Sequence, residues 1–368
     1  MSFAPPPYPY ERLDELKRRA AHHEGGPIDC SIGTPIDAPP DFVIEELARA
    51  AGVRGYPSSI GSPEYRAAAS AWLTWRFGVS VASEQVAACV GTKEFVASVA
   101  GYWHLRYPER DTVLYPAVSY PTYAMGATLA GLRAVPVRVE AGRLDLASVR
   151  VDDAERALLI WSNSPSNPTG HLDDLAGVAA WARERGVLVI SDECYSDFTW
   201  SGPARSVLQE GVTGVLALHS ISKRSNLAGL RAGFYAGDPE AVAYLAQVRQ
   251  HAGLMVPGPV QSAVALAYGD DAHVQAQRSR YHARLATLSE ALRAAGVEAP
   301  MPEGGFYLWC RREGLDAWEL ARALAELSGL VVSPGELYGD APEHVRLAVV
   351  QTDERLELAA ARLRSRSI

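Results

Sequence analysis

Lys223 is the residue of this 368-residue chain best placed to do covalent chemistry. It stands in His219-Ser220-Ile221-Ser222-Lys223-Arg224-Ser225-Asn226-Leu227-Ala228-Gly229-Leu230-Arg231-Ala232-Gly233, directly after an apolar run at 215–218. An amine used as a nucleophile or base must be neutral part of the time, and nearby positive charge or desolvation lowers its pKa. Arg224 and Arg231 supply charge, while Ser220 and Ser222 offer hydroxyls to an anion. The set suits an aldehyde cofactor that carries a phosphate: an amine for the Schiff base, donors and an arginine for the phosphate. Taken alone, the same stretch also reads as a surface lysine in a polar loop.

Four further constellations bear on the choice. Asn163-Ser164-Pro165-Ser166-Asn167-Pro168-Thr169-Gly170 follows the apolar run 157–161. It reads as a rigid loop whose Asn167 amide can meet a cofactor oxygen, or as a plain turn. Ser191-Asp192-Glu193-Cys194-Tyr195 closes a second apolar run. A carboxylate there is costly to bury unpaired. Asp192 therefore suits a protonated ring nitrogen, with Tyr195 reaching a ring hydroxyl; the other reading is a turn-capping Asp. Gly91-Thr92-Lys93-Glu94 opens a helix, where free N–H groups and the dipole attract phosphate; the plain reading makes Thr92 an N-cap. Arg346, in His344-Val345-Arg346-Leu347-Ala348-Val349, sits among apolar strand residues. Turned inward it needs an anion, either a substrate carboxylate gripped by two parallel bonds or an internal partner.

The elements that must position these groups alternate. Strands are expected at 85–90, 112–115, 133–139, 157–161, 187–191, 215–218 and 232–236. Helices are expected at 92–107, 122–130 and 173–185, and Ser62-Pro63 and Asp238-Pro239 open two more. Asp41, after Pro39-Pro40, is read as another N-cap. The alternation predicts an α/β fold, a mostly parallel central sheet with helices on both faces and ligands at the strands' carboxyl ends. After Gly304-Gly305 a strand at 306–309, a helix at 317–327, a strand at 345–350 and a helix at 353–363 predict a smaller α+β domain. The expected division is 1–40 as N-terminal arm and start of the small domain, 41–275 as the large cofactor-binding domain, and 276–368 as the C-terminal small domain. Residues 1–10 are Pro-rich and expected to be extended.

Bulk composition narrows the classes. The chain is 48% hydrophobic and 21% charged, with a formal net charge of −8. That disfavours a nucleic-acid footprint or a polybasic membrane patch. No run approaches the ~20 apolar residues of a membrane span, and the N-terminus lacks the apolar core of a signal peptide. Cys30, Cys89, Cys194 and Cys310 are scattered with no CxxC pair, so reduced thiols in the cytoplasm and no metal site are expected.

Asn167-Pro168-Thr169-Gly170, Asp192-Glu193-Cys194-Tyr195, Ser220-Ile221-Ser222-Lys223 and Arg231 occur in this order. Together they resemble the fold-type I, pyridoxal-phosphate-dependent class I/II aminotransferases, over nearly the whole chain from Gly33 to Arg346. The resemblance implies that Lys223 carries pyridoxal 5'-phosphate as a Schiff base and later moves the proton. It implies that Asp192 pairs with the pyridine nitrogen and that Asn167 and Tyr195 hydrogen-bond the phenolic oxygen. Ser220, Ser222, Arg231 and the Gly91-Thr92-Lys93 backbone would surround the phosphate. Tyr120, in Ser119-Tyr120-Pro121-Thr122-Tyr123, looks like the aromatic stacked on the ring, or a core tyrosine. Tyr56 matches a residue that reaches the neighbouring subunit's cofactor, which implies a homodimer with shared sites. Gly33 and Arg346 match the pair that holds the substrate α-carboxylate. The substrates implied are an amino acid and a 2-oxo acid, exchanged by ping-pong kinetics.

Gly33-Thr34-Pro35-Ile36-Asp37, Val90-Gly91-Thr92-Lys93-Glu94, 222–229 and 251–257 are similar to the bacterial N-succinyldiaminopimelate aminotransferases of lysine biosynthesis. That similarity implies 2-oxoglutarate and glutamate as the second pair. Lys93 or Arg224 is the expected attractor of distal substrate carboxylates. Alternatives on the same scaffold are an aromatic, alanine or kynurenine aminotransferase and a C–S β-lyase. A cofactor-sensing transcription regulator is disfavoured, since about thirty residues before Gly33 are too few for a helix-turn-helix domain plus linker. A catalytically dead scaffold is disfavoured by the intact Lys223 and Asp192.

Overall fold

A computed structural model describes Ala4 and residues 12–365. The proline-rich stretch expected to be extended lies, apart from Ala4, outside the described residues. The chain divides into two compact units, residues 37–279 with 303–305, and residues 1–36, 280–302 and 306–368.

The larger unit is built on seven strands. In spatial order they are Val86–Cys89, Gly233–Gly237, Val215–Ser220, Leu188–Asp192, Ala157–Asn163, Thr112–Pro116 and Arg133–Val137. Gly233–Gly237 runs antiparallel to both of its neighbours, and the pairs from Val215–Ser220 to Arg133–Val137 are all parallel. The expected strand at 133–139 stops at Val137, and Val139–Glu140 pairs with Arg143–Leu144 in a small hairpin instead.

Strand alternation supplies both faces of the sheet with apolar side chains. Val86, Ala88, Ile160, Val189, Ala217, Phe234 and Ala236 enter one buried cluster with residues of the helices Pro63–Phe77, Leu175–Arg183 and Gly258–Gly269. Ala87, Cys89, Leu159, Trp161, Leu188, Ile190, Leu216, Leu218 and Tyr235 enter the opposite one, with Thr92–His104, Thr122–Leu129 and Pro239–His251.

The helix ends follow local chemistry, with two corrections. Ser62 accepts from the Tyr65 N–H, Pro63 fills the first helical position, and Gly78 ends that helix at φ 69°. Asp238 accepts from the Ala241 N–H. Asp41 is not an N-cap: Pro40 holds the extended cap conformation, and Asp41 is the first helical residue, where its charge suits the dipole. Thr92 is likewise not a cap. Gly91 takes that place at φ 73°, a backbone angle a β-branched residue resists.

In the smaller unit, Tyr307–Arg311, His344–Ala348 and Ser333–Pro334 form an antiparallel sheet, with His344–Ala348 in the middle. Ile28–Asp29 pairs in parallel with Leu330–Val331. The helix Ala317–Ser328 opens on a capping box between Asp316 and Glu319 and closes at left-handed Gly329.

Candidate active site

One edge of the large sheet gathers most of the singled-out residues. Asn163, Asp192 and Leu218 are register partners at the carboxyl ends of three adjacent parallel strands. Ser220 ends the third and pairs with Gly233, which pairs in turn with Cys89. Lys223 follows in a single turn, Ile221–Arg224, whose start is capped by Ser220 Oγ accepting from the Ser222 N–H at 3.1 Å. Cross-links tie the loops at this edge. The Cys194 thiol donates to Thr92 Oγ1 at 3.6 Å, and the Ser164 N–H donates to the Asp192 carbonyl at 3.2 Å.

Asp192 is buried at 7% exposure. Its Oδ2 accepts from the Tyr123 hydroxyl at 2.8 Å and its Oδ1 from the Cys194 N–H at 3.2 Å. Burial pushes its carboxyl above the ordinary carboxylate range, against the pull of these donors. A carboxylate held this way is stabilised by a cation at close range. In the sequence Tyr123 figures only as a neighbour of Tyr120. It stacks on Trp161 at 4.7 Å, and Tyr120 meets its edge at 5.8 Å. Its place on the first turn of Thr122–Leu129, three residues after Tyr120, was the available signal.

The loop at 163–170 is rigid for a reason its spacing did not disclose. The Asn163 amide donates to the Asp192 carbonyl at 2.8 Å and to the Pro165 carbonyl at 3.2 Å, and its oxygen accepts from the Asn167 N–H at 2.7 Å. Asn167, Tyr195 and Ser222 are buried with Asp192 and Ser220. Asn163 is thus the brace of this loop, and an amide ending an apolar strand is its sequence mark.

Gly91 and Arg231 meet across the adjoining loops. A Cβ on Gly91 would lie 2.6 Å from the Arg231 Cζ. Only glycine leaves room for that guanidinium beside the start of Thr92–His104. Arg231 itself is left-handed at φ 52°, and its Nη1 donates to the Ala228 carbonyl at 2.9 Å. A non-glycine residue held there stores about 1–3 kcal/mol, as functional sites often do. A guanidinium over the free N–H groups of a helix N-terminus is a cradle for a phosphate. With the buried carboxylate and the lysine turn at the same edge, these residues fit pyridoxal phosphate.

Arg224 departs from expectation. It is 2% exposed and turned into the core, with Nε 3.2 Å from Asp197 Oδ2. It does not attract distal substrate carboxylates, because its charge is already met. Tyr56 is 99% exposed on the single chain.

In the smaller unit, Arg346 is 2% exposed and lies over Tyr307 at 4.2 Å and Tyr338 at 4.7 Å, with Nη2 donating to the Ser31 carbonyl. Gly33 is packed against the same Tyr307: a Cβ there would sit 3.0 Å from two ring carbons. Tyr307 therefore joins Gly33 to Arg346, a link invisible in a linear reading.

Comparison with known proteins decides the family. The description "Aminotransferase class I and II" matches residues 27–363. The chain belongs to the class I and II aminotransferases. It is 44% identical to the 4-dedimethylamino-4-oxo-anhydrotetracycline transaminase OxyQ of Streptomyces rimosus, over 97% of this chain and 99% of that one. It is 34% identical to an LL-diaminopimelate aminotransferase of Desulforudis audaxviator, over 98% and 95%. Among solved structures, an aminotransferase from Neisseria meningitidis Z2491 matches with a TM-score of 0.90 at 27% identity, covering 98% and 97%. Family and neighbours are pyridoxal-phosphate enzymes, and pyridoxal phosphate is the cofactor of this aminotransferase. Among the described residues no helix is long and apolar enough to cross a membrane, and no cluster of His, Cys, Asp and Glu could hold a metal. The four cysteines are free thiols.

Proposed function

We propose that this aminotransferase moves the amino group of N-succinyl-LL-2,6-diaminopimelate to 2-oxoglutarate, a step of lysine and diaminopimelate biosynthesis in the cytoplasm. The sequence motifs at 33–37, 90–94, 222–229 and 251–257 support it, and the likeness to an LL-diaminopimelate aminotransferase supports a diaminopimelate-type donor without bearing on the succinyl group. A second reading rests on the 44% identity to OxyQ: amination of a ketone on a polycyclic ring.

The roles proposed follow from the chain's own groups. Pyridoxal phosphate, when bound, supplies an aldehyde for the amino group and a ring that draws electrons from the substrate Cα. Lys223 Nζ removes the proton at the substrate Cα and returns it, as base and then acid. Asp192 holds the positive charge of the ring nitrogen. Asn167 and Tyr195 orient the phenolic oxygen, and Tyr120 covers the ring. Gly91, Thr92, Lys93, Ser220, Ser222 and Arg231 receive the phosphate. Gly33 and Arg346 receive the α-carboxylate, with Arg346 held between two tyrosines. Lys93 remains the proposed attractor of distal carboxylates. The active form is a homodimer in which Tyr56 reaches the partner subunit's site. The single observation carrying the catalytic reading is the buried Asp192, braced by Tyr123 at the same sheet edge as the lysine turn.

The test is a spectrophotometric half-reaction screen with N-succinyl-LL-2,6-diaminopimelate, LL-2,6-diaminopimelate, glutamate, aromatic amino acids, alanine, kynurenine and cysteine conjugates. Preference for the succinylated donor by kcat/KM supports the first reading. Amination of polycyclic ketones, with poor use of that donor, replaces it by the second. Pyruvate and ammonia from a cysteine conjugate would indicate β-elimination. Lys223→Ala should keep the fold and lose turnover.

A further inference from the structure

Arg224 directly follows Lys223, yet its side chain does nothing toward an open site. Its Nε meets Asp197 Oδ2 at 3.2 Å, its Nη1 donates to the Ala267 carbonyl at 2.6 Å, and its Nη2 to the Asp270 carbonyl at 3.3 Å. The guanidinium also lies 5.1 Å from the Tyr268 ring centre and 5.6 Å from that of Trp72. Asp197 is equally buried, at 5% exposure. It lies in the turn Ser196–Phe198, directly after Tyr195 and five residues after Asp192. Arg76 Nε approaches its Oδ1 at 3.3 Å, and Arg76 Nη2 donates to the Ser196 carbonyl at 3.2 Å. Arg278 Nη1 donates to the Asp197 carbonyl at 2.6 Å. Charged groups thus close on this turn from the helices Pro63–Phe77 and Ala272–Ala294 as well as from the lysine turn.

The lysine turn is poorly equipped to hold itself. It has four residues and is closed by one backbone bond, Ser225 N–H to the Ile221 carbonyl at 3.2 Å. One turn of helix is unstable without tertiary support. Arg224 supplies that support through three hydrogen bonds on a planar fork, which a lysine cannot reproduce. Its opposite anchor is the segment that carries Asp192 and Tyr195.

We propose that the Arg224–Asp197 pair is a positioning device for transamination: it fixes the turn bearing Lys223 against the turn that follows Asp192 and Tyr195. The pair thereby sets where the lysine amine stands relative to the carboxylate and the phenol. Arg224 acts through Lys223 and touches no reacting atom. The inference rests on the roles proposed above for Lys223 and Asp192.

The test uses holoenzyme of Arg224→Met, Arg224→Lys and Asp197→Asn, with L-glutamate as amino donor. Asp238→Ala is the control: it loses a helix cap at the other edge of the sheet and lowers stability without touching the lysine turn. Arg224→Met and Asp197→Asn should each lower kcat about 10–100-fold with KM within about twofold, as expected for a small misplacement of a catalytic group. Each should also move the pH midpoint of the cofactor's absorbance titration, and the double variant should lose no more than either single one. Arg224→Lys keeps the charge without the fork and should recover only part of the rate. The proposal is overturned if folded Arg224→Met and Asp197→Asn, like Asp238→Ala, keep wild-type kcat and titration midpoint, or if Arg224→Lys is fully active. Asp197→Asn, nearly isosteric, carries the test if Arg224→Met does not fold. Borohydride reduction and peptide mass analysis of the wild type report separately whether Lys223 carries the cofactor. A missing adduct there ends the catalytic assignment, not the anchoring geometry.

Discussion

Replacing Tyr123 by Phe removes one oxygen from the molecule and tests what Asp192 is for. The ring stays, with its 4.7 Å stack on Trp161 and the edge contact from Tyr120. What goes is the 2.8 Å bond to Asp192 Oδ2, leaving that carboxylate with the Cys194 N–H at 3.2 Å. A hydrogen bond to a charged group is worth about 1.5–3 kcal/mol. One pKa unit corresponds to about 1.4 kcal/mol. Burial already holds the Asp192 carboxyl high, and Tyr123 opposes that shift. Its loss should raise the carboxyl further, because a donor that favours the charged form is gone. On the proposed pairing with the ring nitrogen, a more basic Asp192 competes for the proton it should leave there, and less of it is ionised at a given pH.

Single-turnover half-reactions followed across pH should therefore show two changes in Tyr123→Phe. The rate near neutrality should drop by roughly 10- to 100-fold, the range that free energy allows. The acid limb of the profile should move to higher pH. If a folded Tyr123→Phe enzyme gives a profile superimposable on the wild type and a rate within about twofold, Tyr123 does not control Asp192, and the assignment of that carboxylate to a cation fails with it.

Other perturbations separate the site from its scaffold. Gly91→Ala forces a side chain into φ 73° and onto the Arg231 guanidinium. It should cost about 1–3 kcal/mol, read by thermal melting, and weaken cofactor affinity measured by titration of the apoenzyme more than it lowers kcat at saturation. Asp238 accepts from the N–H groups of Ala241 and Gly214 at 2.9 and 2.8 Å. Asp238→Ala should cost about 1–2 kcal/mol in denaturant melts and leave kcat unchanged; a change in kcat would show that this edge communicates with the site. Burial holds His273 below its usual 6.5, despite Asp270 beside it. A lowered folded pKa means that the unfolded chain binds the proton first, so the stability His273 contributes is present above 6.5 and lost as pH falls below it. The Tm of the wild type should fall more steeply between about pH 7.5 and 5.5 than that of His273→Gln, and parallel curves would refute this.

The α/β class and the loops at the sheet's carboxyl edge are legible because their signals are local. An apolar run, a turn and a polar residue at its end occupy ten residues or fewer, and a sheet needs only that its strands be recognised. Asn167, Asp192 and Ser220 owe their placement to such strand ends. What could not be read depends on who meets whom. Tyr123 finds Asp192 across 69 residues, and Arg224 looks like a free cation until Asp197 is seen beside it. The caps at Asp41 and Thr92 failed on backbone angle. Residue type favours both, but the chain bends one position earlier, at Pro40 and Gly91. Gly33 is legible as a turn, whereas its need to be glycine comes from Tyr307, a residue of another element.

One reversal in the sheet explains why an arginine so far along the chain can serve the same edge as Gly91. In a parallel strand the residues that precede it lie at the amino edge, away from the ligand side. Gly233–Gly237 has five residues, about 15–17 Å of extended chain. Had it run parallel to its neighbours, Arg231 would stand at the opposite edge, that distance from the loop it should complete. Because it runs antiparallel, its first residue pairs with both Ser220 and Cys89, and Arg231 comes level with the loops that follow them. The left-handed turn at Arg231 then brings the guanidinium over Gly91. The strained angle, the obligatory glycine and the antiparallel strand are therefore one device, and changing any of the three should undo the proposed phosphate cradle while leaving Asp192 and its Tyr123 brace in place.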